Sequence, residues 1–282
     1  MGRTAIVVVC LAAAACGAPR EVSLGEGGPL QKRKPAVTEM LEMAQAGDVA
    51  SQRALGLEYA RGEEIQRNYA EAARWLREAA AKNDAQSQLD LGLLYSSGNG
   101  VEQDHVEAAK LFRSAAEQGI AAAQFNLGLA HAEGRGVEQS MAEALRWYRL
   151  AAEQGDPQAQ VNLGTLYDTG NGVSQDFSVA LRWYSAAAEQ GSPHACYNIG
   201  VMHANGSGVP ADCVEAVVWF TRSAWGKHPG AENAVKYCFG QLSEDQKKQA
   251  LQRARDEGQL ASGKQSAAEA STSPLAASEP FD

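Results

Sequence analysis

The sequence predicts an all-α fold: a right-handed α-solenoid of about five 36-residue helix-turn-helix repeats with helical caps. Three observations predict it. A Leu-Gly or Ile-Gly pair places its glycine at Gly56, Gly92, Gly128, Gly164 and Gly200, in steps of 36. An alanine recurs at Ala72, Ala108, Ala144, Ala180 and Ala216 in the same step. Alanine also supplies much of the 45% hydrophobic content, and an alanine-rich chain with leucine and charge favours helix. A fixed period of this length marks stacked supersecondary units.

Each copy reads as two helices, A and B. In the third copy, helix A runs over 121–132, and Ala123, Leu127 and His131 share one face at a spacing of four. Glycine inside a helix costs about 1 kcal/mol against alanine. The recurrence of Gly128 in register therefore calls for close approach of helix B. A loop with Gly134 and Gly136 follows. Helix B opens at Asn68, Asp104, Ser140, Asp176 and Asp212, all residue types favoured as N-caps. Three positions on stand Glu71, Glu107, Glu143, Val179 and Glu215, so four copies are expected to complete a capping box. The helix carries bulky pairs such as Trp147-Tyr148 and Trp183-Tyr184. It ends near Asn83, Gly119, Gly155, Gly191 and Lys227, where Lys227 departs from residues suited to a left-handed C-cap.

This sets the organisation. The repeats span 48–83, 84–119, 120–155, 156–191 and 192–227, inside a solenoid covering 36–260. A lone leading helix, Val37 to Gly47, covers the first repeat. Capping helices over 231–258 close the other end: one from Ala231 to Leu242, then a polar one opened by Ser243 with Gln246. Solenoid ends need such polar covers. Residues 261–282 are rich in Ala, Ser, Pro and Glu and read as disordered, and 17–35 reads as a linker. In residues 1–16, the apolar run from Ala5 to Ala15 is too short to span a bilayer and matches a secretory signal.

The pattern A-x-x-x-L-G-x-x-Y-x-x-G-x-G-V-x-x-D-x-x-x-A-x-x-W-Y-x-x-A-A-x-x-G resembles the Sel-one-like repeat, a longer relative of the tetratricopeptide repeat. The fourth copy, Ala159 to Gly191, carries nearly all of it; the first has Glu64 in place of the second loop glycine. The resemblance implies a protein-protein interaction scaffold without catalytic activity. Likewise, Ala13-Ala14-Ala15-Cys16 resembles the lipobox of bacterial lipoproteins, which implies lipidation at Cys16 and a membrane anchor. Plain secretion with cleavage near Ala15 is the alternative.

In tetratricopeptide repeats, helix A lines a concave groove and its asparagines hydrogen-bond a bound peptide. The matching positions are Asn126, Asn162 and Asn198, with Asp90 in copy two. The same side chains could instead bond neighbouring repeats and stiffen the array. Beside them lie Phe125, Val161 and Tyr197, with Leu93, Leu129, Thr165 and Val201 one turn on. If exposed, this stripe is a binding strip; if buried, it is packing.

Other chemistry finds little support. The net charge is -9 with no strongly basic patch, so no nucleic-acid partner is expected. The paired loop glycines follow a helix, not a strand, and lack dinucleotide-loop spacing. The histidines have no metal-ligand spacing, and His131 and His203 take a slot filled elsewhere by Tyr59, Tyr95 and Tyr167. No metal and no cofactor are expected. A cysteine-rich branch of the family is linked to penicillin binding and weak β-lactamase activity. The serine β-lactamase motifs are absent from this chain. Cys213 and Cys238 fall at ends brought together by antiparallel helices, which makes them a candidate disulfide, or else plain buried thiols. The leading expectation is an envelope adaptor, lipid-anchored at the periplasmic face of an outer membrane, that binds a protein or peptide on its concave face. The alternatives are a cell-wall protein that binds or hydrolyses peptidoglycan or β-lactams, and a secreted effector that binds host proteins.

Overall fold

The computed structural model describes residues 35–256. The segment 1–16, nearly all of 17–35, and the tail 261–282 lie outside them. The described residues hold thirteen helices and no strand. A leading α1 (Pro35–Gln45) precedes five pairs: α2 (Val49–Arg61) with α3 (Tyr69–Ala81), α4 (Ala85–Ser97) with α5 (His105–Glu117), α6 (Ala121–Glu133) with α7 (Met141–Glu153), α8 (Pro157–Thr169) with α9 (Phe177–Glu189), and α10 (Pro193–Asn205) with α11 (Cys213–Trp225). Then come α12 (Ala231–Phe239) and α13, which starts at 244 and reaches 256. Each helix packs on the next in sequence, so the repeats stack in chain order into a solenoid.

The helix A glycine sets the contact within each pair. A Cβ on Gly56, Gly92, Gly128, Gly164 or Gly200 would lie 2.6 to 2.8 Å from Leu76, Phe112, Tyr148, Tyr184 or Phe220 of the partner helix. No side chain fits there, so the bulky residue of helix B lies flat on bare helix A backbone. The alanine seam, Ala72 to Ala216 in steps of 36, is at most 2% exposed. Small residues on both sides give the close approach, and the large residue fills what remains.

The helix ends correct two expectations. All five B helices have the expected N-cap, whose side chain accepts backbone N–H bonds from the first turn. The reciprocal half of a capping box does not form. The N–H groups of Asn68, Asp104, Ser140, Asp176 and Asp212 already donate to the carbonyls of Tyr59, Tyr95, His131, Tyr167 and His203 in helix A. With that donor taken, Glu71, Glu107 and Glu143 turn to Arg74, Lys110 and Arg146 one turn on. Lys227 also keeps the pattern it was expected to break. Its φ is 61°, left-handed like Asn83 and the glycines. Its N–H donates to the Ala224 carbonyl and that of His228 to the Ser223 carbonyl, the bonds made at Gly155 and Asp156.

The end helices bury their inner faces. Val37 and Ala44 of α1 are buried, with Ala44 packed against Leu55 and Trp75. α12 stops at Phe239, short of Leu242. At α13, Ser243 N–H donates to Gln246 Oε1 at 3.0 Å and Gln246 N–H to Ser243 Oγ at 3.3 Å, a reciprocal cap. Among the described residues, no helix is long and apolar enough to cross a membrane.

Candidate partner-binding face

Helix A packs its Leu-Gly face inward and leaves a strip of residues three and four apart on the other side. In α4, α6, α8 and α10 that strip contains Asp90, Asn126, Asn162 and Asn198, all half-buried. Asn162 hydrogen-bonds the Tyr148 hydroxyl, and Asn198 hydrogen-bonds the Tyr184 hydroxyl, each across a repeat boundary. Burial pushes both tyrosine hydroxyls well above their ordinary range, so they stay protonated and neutral. Tyr184 also donates to Thr165 Oγ1 at 3.1 Å.

The pairing changes toward the N-terminal side. Phe112 stands where the tyrosines stand and has no hydroxyl to offer Asn126. Asn126 turns back on its own helix and donates to the Ala122 carbonyl at 2.7 Å. A cavity of about 30 Å³ opens there, lined by Phe112, Asn126, Leu129, Glu133 and Arg135. That is room for one water. One repeat earlier the residue is Leu76. Asp90 receives Gln86 Nε2 at 3.3 Å, while its other carboxylate oxygen is buried without a partner. Burial raises the Asp90 carboxyl above the ordinary carboxylate value.

The neighbouring row is mostly packing. Phe125 tilts against Tyr148 with ring centroids 5.9 Å apart, and Val161 packs on the cluster around Tyr184. Tyr197 lies between Phe220, at 5.3 Å, and His228, at 4.2 Å. The row one turn on is more open. Leu93 is 43% exposed, while Leu129, Thr165 and Val201 are half-buried. In the same register α12 adds Tyr237, 64% exposed.

Sequence reasoning missed a ladder of glutamines. Gln88, Gln124 and Gln160 are buried, and each donates to a carbonyl of the preceding B helix, at Ala80, Ala116 and Ala152. Each accepts a bond from Gln118, Gln154 or Gln190 at the end of its own B helix, at 2.7 to 2.9 Å. The first repeat uses Gln52 with Lys82 instead. One side chain thus ties three helices. The signal was present as glutamine in steps of 36. Cys196 holds the fifth position and is buried.

Cys213 and Cys238 are brought into contact, share a thiol hydrogen bond and are not joined. Burial, then the neighbouring Cys213, pushes the Cys238 thiol up to about 12. Among the described residues, no three His, Cys, Asp or Glu side chains are grouped to hold a metal ion. His131 is buried in the tyrosine slot, with Nδ1 3.2 Å from the Glu138 carbonyl, which it can only meet as a donor.

Five consecutive Sel1 repeats match at residues 49–84, 85–120, 121–156, 157–192 and 193–224, so the chain belongs to the Sel1 repeat family. It is similar to a protective antigen of uropathogenic Escherichia coli strains whose crystal structure displays an SLR fold. That match has 33% identity and a TM-score of 0.70, over 79% of this chain and 49% of the other. The chain thus spans about half the length of that protein. It is also similar to a Sel1 repeat protein from Oxalobacter formigenes, at 32% identity and a TM-score of 0.67, over 77% of this chain and 96% of the other. Comparison with curated proteins gives no match. Proteins built on this repeat generally act as non-catalytic interaction scaffolds.

Proposed function

We propose that the protein is a non-enzymatic adaptor of the bacterial cell envelope, which recruits a protein or extended peptide along the face lined by its first helices. The observation that carries this reading is the periodic strip Leu93, Leu129, Thr165, Val201 and Tyr237, which runs from α4 to α12, half-buried in its middle and exposed at its two ends. A largely apolar strip with exposed ends offers a partner burial, while the asparagines beside it are already bonded within the solenoid and hold the strip in place. Nothing in the strip is arranged as a nucleophile with a base. The test is the pair of variants Leu93→Glu and Tyr237→Glu in one chain. Both residues are exposed, so helicity should persist while the set of co-purifying envelope proteins is lost. Retention of that set with both charges in place would exclude this face.

The anchoring belongs to the same proposal. The run Ala5 to Ala15 closing on Cys16 supports lipidation there. Metabolic labelling with an alkyne fatty acid should mark the wild type and not Cys16→Ala. An unlabelled, membrane-free wild-type protein would leave plain secretion.

A further inference from the structure

The last junction of the solenoid lacks the ties that join the earlier repeats. Tyr148 and Tyr184 reach Asn162 and Asn198, but Phe220 has no hydroxyl and the residue in register on α12 is Ala234. In the position of the buried Gln124 and Gln160, α12 has the exposed Glu232. A pair of thiols stands at this junction instead. Cys213 is the first residue of α11, after the N-cap Asp212. Cys238 is in the last turn of α12 and is 0% exposed. Antiparallel packing brings the two ends together, and both thiols join one apolar cluster with Val214, Val217 and Leu242. They already share a hydrogen bond.

We propose that Cys213 and Cys238 are a disulfide-forming pair that staples the C-terminal end of the solenoid, oxidised by exchange with the disulfide of glutathione or of a dithiol oxidoreductase. Cys213 is half-buried and Cys238 fully buried, so Cys213 is the thiol the oxidant reaches first. It gives up its proton and attacks one sulfur of the oxidant. That S–S bond breaks, and one thiolate leaves and takes a proton. Cys238 then loses its proton and attacks the Cys213 sulfur, expelling the second thiol. Two protein thiols become one disulfide, and the oxidant disulfide becomes two thiols. Burial of Cys238 makes the second step the slow one. The bond closes a loop of about 25 residues, which restricts the unfolded chain. It also fixes α12, which carries Tyr237. α13 is already held to α11 by the Arg253–Glu215 ion pair. The staple does not depend on the docking reading, because its test contains no partner.

The test uses the purified full chain, first reduced, then equilibrated across a series of glutathione ratios from reducing to oxidising. The expected product is lighter by two hydrogens, and fragment mapping links Cys213 to Cys238. Its Tm should exceed that of the dithiothreitol-treated protein by roughly 5 °C. Cys213→Ser, at the more accessible position, should keep the helicity and lose both the link and the Tm shift. Three results would each overturn the proposal. These are thiols that both stay open to alkylation in the most oxidising buffer, a glutathione adduct on Cys213 as the sole product, and a linked protein no more stable than the reduced one.

Discussion

Gln154 Nε2 donates to Gln124 Oε1 at 2.7 Å, while Gln124 Nε2 donates to the Ala116 carbonyl of the repeat before. The amide is buried between three helices, and both its donor and its acceptor are used. A polar group left unpaired there would cost about 1–3 kcal/mol. Gln124→Ala should therefore destabilise the protein by about 2 kcal/mol in urea unfolding, with early hydrogen exchange confined to α5, α6 and the end of α7. Uniform loss along the array, or no loss, would contradict a local latch.

The Phe112 cavity makes a prediction of opposite sign. Phe112→Tyr adds the hydroxyl that Tyr148 and Tyr184 already have and faces it toward Asn126. It should be neutral or stabilising, by up to about 1 kcal/mol, whereas Tyr148→Phe should cost about 1 kcal/mol. Thermal unfolding of the two variants checks the pair.

Gly164→Ala places a Cβ 2.6 Å from the Tyr184 ring. Alanine is otherwise the better helix former, so propensity alone predicts a gain. Overpacking against a fully buried ring should reverse it, with a net loss of about 2 kcal/mol. A more stable Gly164→Ala protein would show that the ring can move aside.

Lys227 occupies the left-handed region at φ 61°. A side chain there costs about 1–2 kcal/mol, which glycine avoids at some entropic cost of its own. Lys227→Gly should stabilise by about 0.5–1 kcal/mol, read as a shift in urea midpoint at constant slope.

Asp90 gives the pH dependence. Burial raises its carboxyl in the folded state, so folding favours the protonated form. Its contribution is most favourable below the unfolded value near 3.8 and is lost as pH rises through the raised folded value. Asp90→Asn should thus be more stable than wild type at pH 7, with the difference shrinking toward pH 3. Equal stability curves across that range would mean that Asp90 ionises freely.

The period of 36, the glycine seat and the N-caps were legible because each fixes backbone geometry and recurs in register. The glutamine ladder was not read, because glutamine is usually a surface residue and only the stacking of B on A on B buries it. The Glu71, Glu107 and Glu143 boxes were misread because a long-range acceptor, the helix A carbonyl, competes for the donor the box needs. Lys227 shows the same limit, since packing of the final turn overrides residue preference. At the face, Tyr237 was missed because it lies beyond the fifth repeat, while its register is that of Leu93.

Site-specific photo-crosslinking in cells decides whether the first-helix face holds a partner. Probes at Leu93, Thr165 and Tyr237 sample the first-helix face, and probes at Val106 and Leu150 sample exposed positions on the second helices. One shared protein adduct is expected from the first set and none from the second. Adducts from Val106 and Leu150 alone would place the partner on the opposite helices and contradict that expectation.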